Sequence, residues 1–212
     1  MDFDGTITTR DCLDGALERH TAGWPQVLGA VSRLEQSRVS ALRQQVGLLP
    51  LSRVETIAEF VDDARLRAGF TCFLRWLTAW GARVAVVSLG YREGIEAVWR
   101  RRALPPVELF ASELREGTAG LEFVVDAAFG DCECCGPRAC KAPIVRRLRR
   151  RGERLVVFGD GVADVCMARE ADLVFARGSL ARLVAAEGLP WLPLRDFGGA
   201  RRSLAAWFTG VP

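Results

Sequence analysis

The sequence predicts an α/β protein with a doubly wound, mostly parallel sheet, and three observations support this fold class. Apolar runs at residues 84–87 and 155–158 are typical of buried parallel strands. Helical patterns follow each run, and strands that alternate with helices build a parallel sheet covered on both faces. Residues 13–78, in contrast, show helical patterns without a strand signal. We therefore expect an all-helical insertion near the start of an alternating fold, within a chain of 212 residues.

The helices of the insertion are predicted from capping residues and from apolar spacing. Short amphipathic helices are expected near residues 11–17 and 24–34, followed by a helix over residues 37–46. Ser52 begins another helix, because Glu55 stands three residues later in the capping-box pattern. The last helix has a core-facing side at i, i+3, i+4 and i+7, formed by Phe70, Phe73, Leu74 and Leu77.

Strands and helices alternate in the rest of the chain. A strand at residues 84–90 precedes a helix at about residues 92–102, and a β-rich stretch covers residues 109–125. A helix follows residue 141, and strands at residues 155–158 and 172–175 come next. Ligands bind at the carboxyl ends of the strands in such sheets. The polar residues that follow these strands are therefore the candidate site.

The first candidates are two carboxylates at the very start of the chain. Asp2 and Asp4 are two residues apart, so their side chains point to the same side of an extended segment. Two anions this close repel each other, and hard Mg²⁺ prefers such oxygen ligands. The pair indicates a cation site, although a charged turn would also explain it.

The other candidates follow later in the chain. Ser88 lies at the carboxyl end of its strand, and Asp160 and Asp164 follow the strand at residues 155–158. Lys141 is the only lysine among 29 basic residues. In such an arginine-rich chain, one ammonium group at the start of a helix indicates that a compact point charge is needed there.

Asp-x-Asp-x-Thr at residues 2–6, Ser88, Lys141 and Gly-Asp-Gly-x-x-Asp at residues 159–164, in this order, resemble the haloacid dehalogenase (HAD) superfamily of phosphotransferases. The resemblance implies a HAD-type Rossmann-like core of residues 1–12 and 79–212. A small helical cap at residues 13–78 resembles that of phosphoserine-phosphatase-like members. Within these, the chain most resembles the 2-hydroxy-3-keto-5-methylthiopentenyl-1-phosphate phosphatases, at residues 2–8, 11, 48–50, 67–70 and 140–141.

The resemblance also implies a role for each candidate residue. Asp2 would be the nucleophile that forms an aspartyl-phosphate, and Asp4 the general acid and base. Mg²⁺ would be held by the Asp2 carboxylate, the Asp4 carbonyl and Asp160, with support from Asp164. Phosphate oxygens would be bound by Ser88, Lys141 and backbone amides near Asp4, Gly5 and Gly90.

The predicted function is hydrolysis of a small phosphorylated metabolite by a Mg²⁺-dependent phosphatase, with methionine salvage as the candidate pathway. Phosphoserine, phosphoethanolamine and phosphocholine phosphatases share this architecture and remain alternatives. A further alternative, of a different class, is a non-catalytic metal-binding regulator on a degenerate HAD core.

Composition sets the expected environment and partners. The chain has no apolar run near the ~20 residues of a membrane span, and its seven cysteines do not form a small secreted disulfide framework. The net charge of +3 argues neither for nor against nucleic-acid binding. The arginine run at residues 146–151 lies opposite apolar positions, which favours a solvated helix surface. We expect a cytoplasmic monomer or homodimer with no nucleic-acid or membrane partner.

Two features leave open questions. Cys132 and Cys135 have a spacing that occurs in structural zinc sites, whereas reduced thiols in a loop are the simpler interpretation. In addition, only Met1 precedes Asp2, although the family nucleophile follows a buried strand. We therefore expect a natural protein with an apolar, β-branched segment before Met1, and a gap in the core where that segment is missing.

Overall fold

A computed structural model describes residues 1–24, 37–118 and 120–209. Residues 25–34 of the helix predicted at residues 24–34 lie outside these ranges. The first strands of the described fold are β1 (Ala85–Tyr91), β2 (Glu108–Gly117) and β3 (Gly120–Val124). β1 and β2 are parallel, and β2 turns back into β3 as an antiparallel pair.

The remaining strands form a hairpin and a parallel group. β4 (Gly130–Cys132) and β5 (Gly136–Cys140) are the antiparallel hairpin. β6 (Val156–Gly159), β7 (Leu173–Ala176) and β8 (Trp191–Pro193) are parallel to one another in this order. The parallel pairs, together with the helices between them, confirm the predicted α/β fold class.

Met1 and Asp2 connect the two parallel groups of strands. The Met1 amino group donates to the Ala85 carbonyl at 2.8 Å, and the Val87 amide donates to the Met1 carbonyl at 2.8 Å. On the other side, the Asp2 amide donates to the Phe158 carbonyl at 2.9 Å. These two residues thus lie between β1 and β6, where they pair with both strands.

A cavity of about 390 Å³ lies next to Met1. Its lining comes from β1, from β6 and from a helix at the end of the chain, and includes Val87, Val156, Phe158, Leu204 and Phe208. The apolar segment expected before Met1 stays a prediction.

The helices agree with the predicted capping and apolar patterns. Their bounds are α1 (Cys12–His20), α2 (Arg38–Gly47), α3 (Arg53–Asp63), α4 (Phe70–Ala79), α5 (Arg92–Arg101), α6 (Ala142–Leu148), α7 (Val165–Ala168), α8 (Gly178–Ala186) and α9 (Phe197–Thr209). Asp11 and Ser37 cap α1 and α2 with their side chains, and Ser52 and Glu55 form the expected capping box of α3. Within the described residues, every helix is too short or too polar to cross a bilayer.

Some helices pack against other helices, and others pack against the sheet. α1 packs against α3, where Arg19 forms ion pairs with Glu59 and Asp63. α4, in contrast, buries its predicted apolar face against the sheet and α9. The centre of the Phe73 ring lies 5.5 Å from that of Phe158 in β6 and 5.2 Å from that of Phe197 in α9. The cap at residues 13–78 stays a prediction as a separate domain.

Candidate active site

The loop after Asp2 is shaped by one glycine. Gly5 has φ +70°, a left-handed conformation that glycine adopts without strain. A Cβ atom at this position would lie 2.3 Å from Asp160 Oδ2, which is closer than any real contact. The Thr8 amide closes the loop by donating to the Phe3 carbonyl at 3.0 Å. Only glycine therefore allows the Asp160 carboxylate to approach the first loop.

Two arginines hold the same loop by its carbonyl oxygens. The Arg67 guanidinium is buried and donates to the carbonyls of Thr6 (2.9 Å), Gly5 (2.6 Å) and Thr8 (2.9 Å). Arg177 donates to the Gly5 carbonyl at 2.7 Å. Neither arginine has a role that the sequence predicts, because no side-chain pattern indicates a backbone acceptor.

Three carboxylates meet where the first loop reaches the end of β6. One oxygen from each of Asp2, Asp160 and Asp164 lies within 4.8 Å of the others. The Thr6 hydroxyl contacts Asp2 Oδ2 at 3.1 Å and Asp160 Oδ1 at 3.2 Å. Asp164 Oδ2 accepts the amides of Asp160 (3.0 Å) and Gly161 (3.1 Å), which fixes its orientation.

Lys141 lies between two of these carboxylates. Its Nζ atom donates to Asp2 Oδ1 at 2.6 Å and to Asp164 Oδ1 at 2.7 Å, and the side chain is 2% exposed. Burial alone would lower the pKa of Lys141, but the carboxylates of Asp164 and Asp2 raise it above its usual range. The residue is therefore a fixed positive charge beside Asp2.

One ammonium does not balance three carboxylates. Burial, together with the charge of Asp164, raises the pKa of Asp2 to about 7, although Lys141 acts in the opposite direction. Burial and Asp164 also raise the pKa of Asp160. A group of hard oxygen donors with excess negative charge fits a divalent cation such as Mg²⁺.

Asp4 and Ser88 lie together beside Gly90, in the second half of β1. A Cβ atom on Gly90 would be 2.8 Å from Asp4 Oδ2 and 3.2 Å from Ser88 Oγ, so both groups border this glycine. The Cys12 amide donates to Asp4 Oδ1 at 3.0 Å. Burial and the nearby Asp11 nevertheless raise the pKa of Asp4 well above its usual range. The Asp4 carboxyl thus holds a proton more readily than an ordinary aspartate does.

The predicted amide donors already have partners. The Gly90 amide donates to Ser88 Oγ at 3.0 Å, and the Gly5 amide donates to Thr8 Oγ1 at 3.1 Å. Either amide would have to change partner to bind a phosphate oxygen. The structure thus brings Asp2, Lys141, Asp160 and Asp164 together, with Asp4 and Ser88 beside Gly90 in the neighbouring strand β1.

Comparison with known proteins agrees with this geometry. A family model described as haloacid dehalogenase-like hydrolase matches residues 1–169. The chain belongs to this family. The match confirms the predicted HAD family and the expectation of an enzyme, a HAD phosphatase.

Individual HAD relatives are similar along the whole chain. The 2-hydroxy-3-keto-5-methylthiopentenyl-1-phosphate phosphatase of Exiguobacterium sp. strain AT1b is 31% identical and covers 99% of this chain and 96% of its own length. The protein of the same name from Bacillus velezensis is 29% identical, over 92% of this chain and 84% of its own. A substrate-bound phosphoserine phosphatase structure superposes with a TM-score of 0.69 at 20% identity, covering 95% of both chains, which shows a shared fold.

Proposed function

We propose that this protein is a Mg²⁺-dependent phosphomonoesterase that acts through an aspartyl-phosphate on Asp2. The observation that carries the proposal is the environment of the Asp2 carboxylate. One of its oxygens is 2.6 Å from the Lys141 ammonium, and the other accepts the Thr6 hydroxyl at 3.1 Å. Asp2 is thereby held as a nucleophile beside groups that can neutralise an incoming phosphoryl group.

The reaction proceeds in two displacements at phosphorus. An Asp2 oxygen bonds to phosphorus while the bond to the leaving alcohol oxygen breaks, and Asp4 gives that oxygen its proton. A water molecule then attacks the same phosphorus, the bond to Asp2 breaks, and Asp4 accepts the proton of the water. The products are the alcohol and inorganic phosphate. The raised pKa of Asp4 supports its role as the first proton donor.

Asp2, Asp160, Asp164 and the Asp4 carbonyl are the groups that would hold Mg²⁺, either directly or through water. When bound, the cation supplies positive charge against the phosphoryl oxygens. Lys141 adds a second positive charge on the protein side. The Ser88 hydroxyl keeps its proton available for a phosphate oxygen, because it accepts the Gly90 amide through its lone pair.

For the substrate, we propose a small phosphorylated metabolite, and the names of the relatives supply the first candidate. The Exiguobacterium and Bacillus relatives are named 2-hydroxy-3-keto-5-methylthiopentenyl-1-phosphate phosphatase. This compound is our first candidate substrate, in line with the methionine-salvage pathway predicted from the sequence. A panel of phosphorylated metabolites, with phosphoserine, phosphoethanolamine and phosphocholine as competitors, ranks the candidates by kcat/KM.

The test of the mechanism is Asp2→Asn. We expect Mg²⁺-dependent phosphate release from p-nitrophenyl phosphate by the wild type and none by Asp2→Asn. Far-UV circular dichroism should show the same fold in both proteins. Asp62→Asn is the matched control, because the Asp62 side chain is exposed and bonded to Arg101 at the surface. Wild-type turnover in Asp2→Asn would refute the covalent mechanism.

A further inference from the structure

A second cluster of reactive side chains lies at the β4–β5 hairpin. The Sγ atoms of Cys132, Cys135, Cys140 and Cys166 all lie within 4.8 Å of one another. Cys132 is half-buried, and the other three are buried. Three of these residues belong to the hairpin, whereas Cys166 comes from α7. From the sequence, only the spacing of Cys132 and Cys135 indicates such a site, and Cys166 gives no signal.

The distances in the cluster suit a tetrahedral ion. Cys166 Sγ is 3.7 Å from both Cys132 Sγ and Cys135 Sγ. Four thiolates at about 2.3 Å from a zinc ion, at tetrahedral angles, are separated from one another by ~3.8 Å. These two distances therefore nearly match the spacing that zinc requires, and the remaining ones in the set are at most 4.8 Å.

The hairpin turn also has features of a thiolate site. The Cys135 amide donates to Cys132 Sγ at 3.2 Å, and such a bond stabilises a thiolate. Gly136 follows with φ +83°, which allows the chain to turn immediately after the second cysteine. Cys132 and Cys135 thus present both sulfur atoms to the same side of the turn.

We propose that Cys132, Cys135, Cys140 and Cys166 bind one structural Zn²⁺ ion. The four thiols lose four protons to solvent as the ion binds, so the centre carries a charge of −2. Arg169 is placed to offset part of this charge, because its Nη1 atom is 3.9 Å from Cys166 Sγ. Four protein ligands complete the coordination, which is typical of a structural zinc site.

The ion would connect the hairpin to the candidate active site. Cys140 directly precedes Lys141, and Cys166 follows Asp164 by two residues. The side chains of Lys141 and Asp164 are bonded at 2.7 Å. A zinc ion that joins Cys140 to Cys166 would fix the two backbone segments that carry this bond. This inference does not depend on the proposed phosphatase activity.

A fifth thiol supplies the competing explanation. Cys134 is exposed, and its Sγ atom is 2.7 Å from Cys166 Sγ, which is closer than non-bonded contact. A disulfide between these two residues would explain that distance. Cys134 Sγ also lies 3.5 Å from Cys132 Sγ and 3.8 Å from Cys135 Sγ, but Cys134 is exposed, unlike the four residues of the proposed set. The disulfide would leave the convergence of the other three sulfur atoms unexplained, so we favour the metal.

The experiment measures metal in protein purified without a chelator. We expect about one zinc per chain by plasma mass spectrometry, and its removal should lower the melting temperature by ~10 °C. Cobalt(II) added to metal-free protein should give the visible absorption of a tetrahedral four-thiolate site. Because these measurements use the wild-type chain, they hold even where a variant fails to fold.

Two variants identify the ligands. Cys140→Ser should lose the bound zinc, whereas Cys134→Ser should retain it, because Cys134 is outside the proposed set. Loss of zinc from Cys134→Ser with retention in Cys140→Ser would overturn the ligand assignment. The proposal itself is overturned if the wild-type chain contains no zinc. Titration of free thiols then distinguishes a Cys134–Cys166 disulfide, which leaves five thiols free, from a chain with all seven thiols free.

Discussion

Lys141 illustrates how much of the site depends on a single side chain. It is buried with two carboxylates at 2.6 and 2.7 Å, and the chain has 28 other basic residues that are all arginine. An ammonium is compact and can point its three donors at several oxygens, whereas a guanidinium is a broad planar fork. The contacts with Asp2 and Asp164 therefore suit the compact ammonium of lysine better than a guanidinium.

Lys141→Arg tests this requirement at the residue scale. We expect kcat/KM to fall on the order of 10²-fold or more, because the larger group displaces Asp2 from its position. Steady-state kinetics with p-nitrophenyl phosphate provide the measurement. Arg150→Lys, at an exposed position, is the control and should leave the kinetics unchanged. Equal kinetics in Lys141→Arg and the wild type would contradict a role for the ammonium.

At the element scale, the first loop is held from outside by another part of the chain. Arg67 directly follows the Thr8–Leu66 bridge, and its own amide donates to the Ile7 carbonyl at 2.8 Å. The side chain then bonds three further carbonyls of the loop. Burial, followed by the charge of Arg177, lowers the pKa of Arg67. This arginine therefore directs its charge at carbonyl oxygens and holds the segment from Gly5 to Thr8, which directly follows Asp4.

Replacement of Arg67 by methionine should loosen this loop. Methionine fills similar space without donors, so the carbonyls of Thr6 and Thr8 lose the Arg67 side chain as partner, and the Gly5 carbonyl keeps only Arg177. We expect a loss of about 2–4 kcal/mol in the free energy of unfolding, together with a lower kcat. Urea denaturation measures the first effect. The exposed neighbour Arg65 supplies the control Arg65→Met, and a similar loss in both variants would refute the loop contacts as the cause.

The helix α6 (Ala142–Leu148) has one buried side and one side at the protein surface. Arg146 pairs with Glu170, and Arg149 pairs with Asp172, on the side away from the buried residues Ile144 and Val145. The guanidinium of Arg147 lies 5.1 Å from the centre of the Phe110 ring. Three arginines of the run at residues 146–151 therefore already have partners within the protein.

Across the whole molecule, the sequence predicted those features that depend on local chemistry. The strand around Ser88, the capping box at Ser52 and the buried face of α4 were predicted because caps and apolar spacing act within a few residues. Arg67 and Cys166 were missed because their partners are distant in sequence. A guanidinium that bonds carbonyls leaves no pattern, and a single cysteine on a short helix gives no sign of three others. The roles of the site residues stay predictions.

The buried carboxyl groups of the site make the stability of the whole fold depend on pH. The pKa of Asp2 is about 7 in the folded protein, against an ordinary 3.8. The folded state therefore holds a proton that the unfolded state releases between these pH values. This contribution to stability is fully present below about pH 4 and is lost as the pH rises through about 7. Lys141 stays charged across this window and does not alter the trend.

A divalent cation should reverse that loss, since it takes the place of the proton among Asp2, Asp160 and Asp164. We expect Mg²⁺ near a hundred times its Kd to raise the melting temperature by about 5 °C or more at about pH 8. At about pH 5 the rise should be much smaller, because protons compete for the same oxygens. Asp160→Asn should weaken the effect at the higher pH, whereas Asp62→Asn should preserve it. Differential scanning calorimetry provides the measurement. A Mg²⁺ effect of equal size at both pH values would show that the ion binds elsewhere.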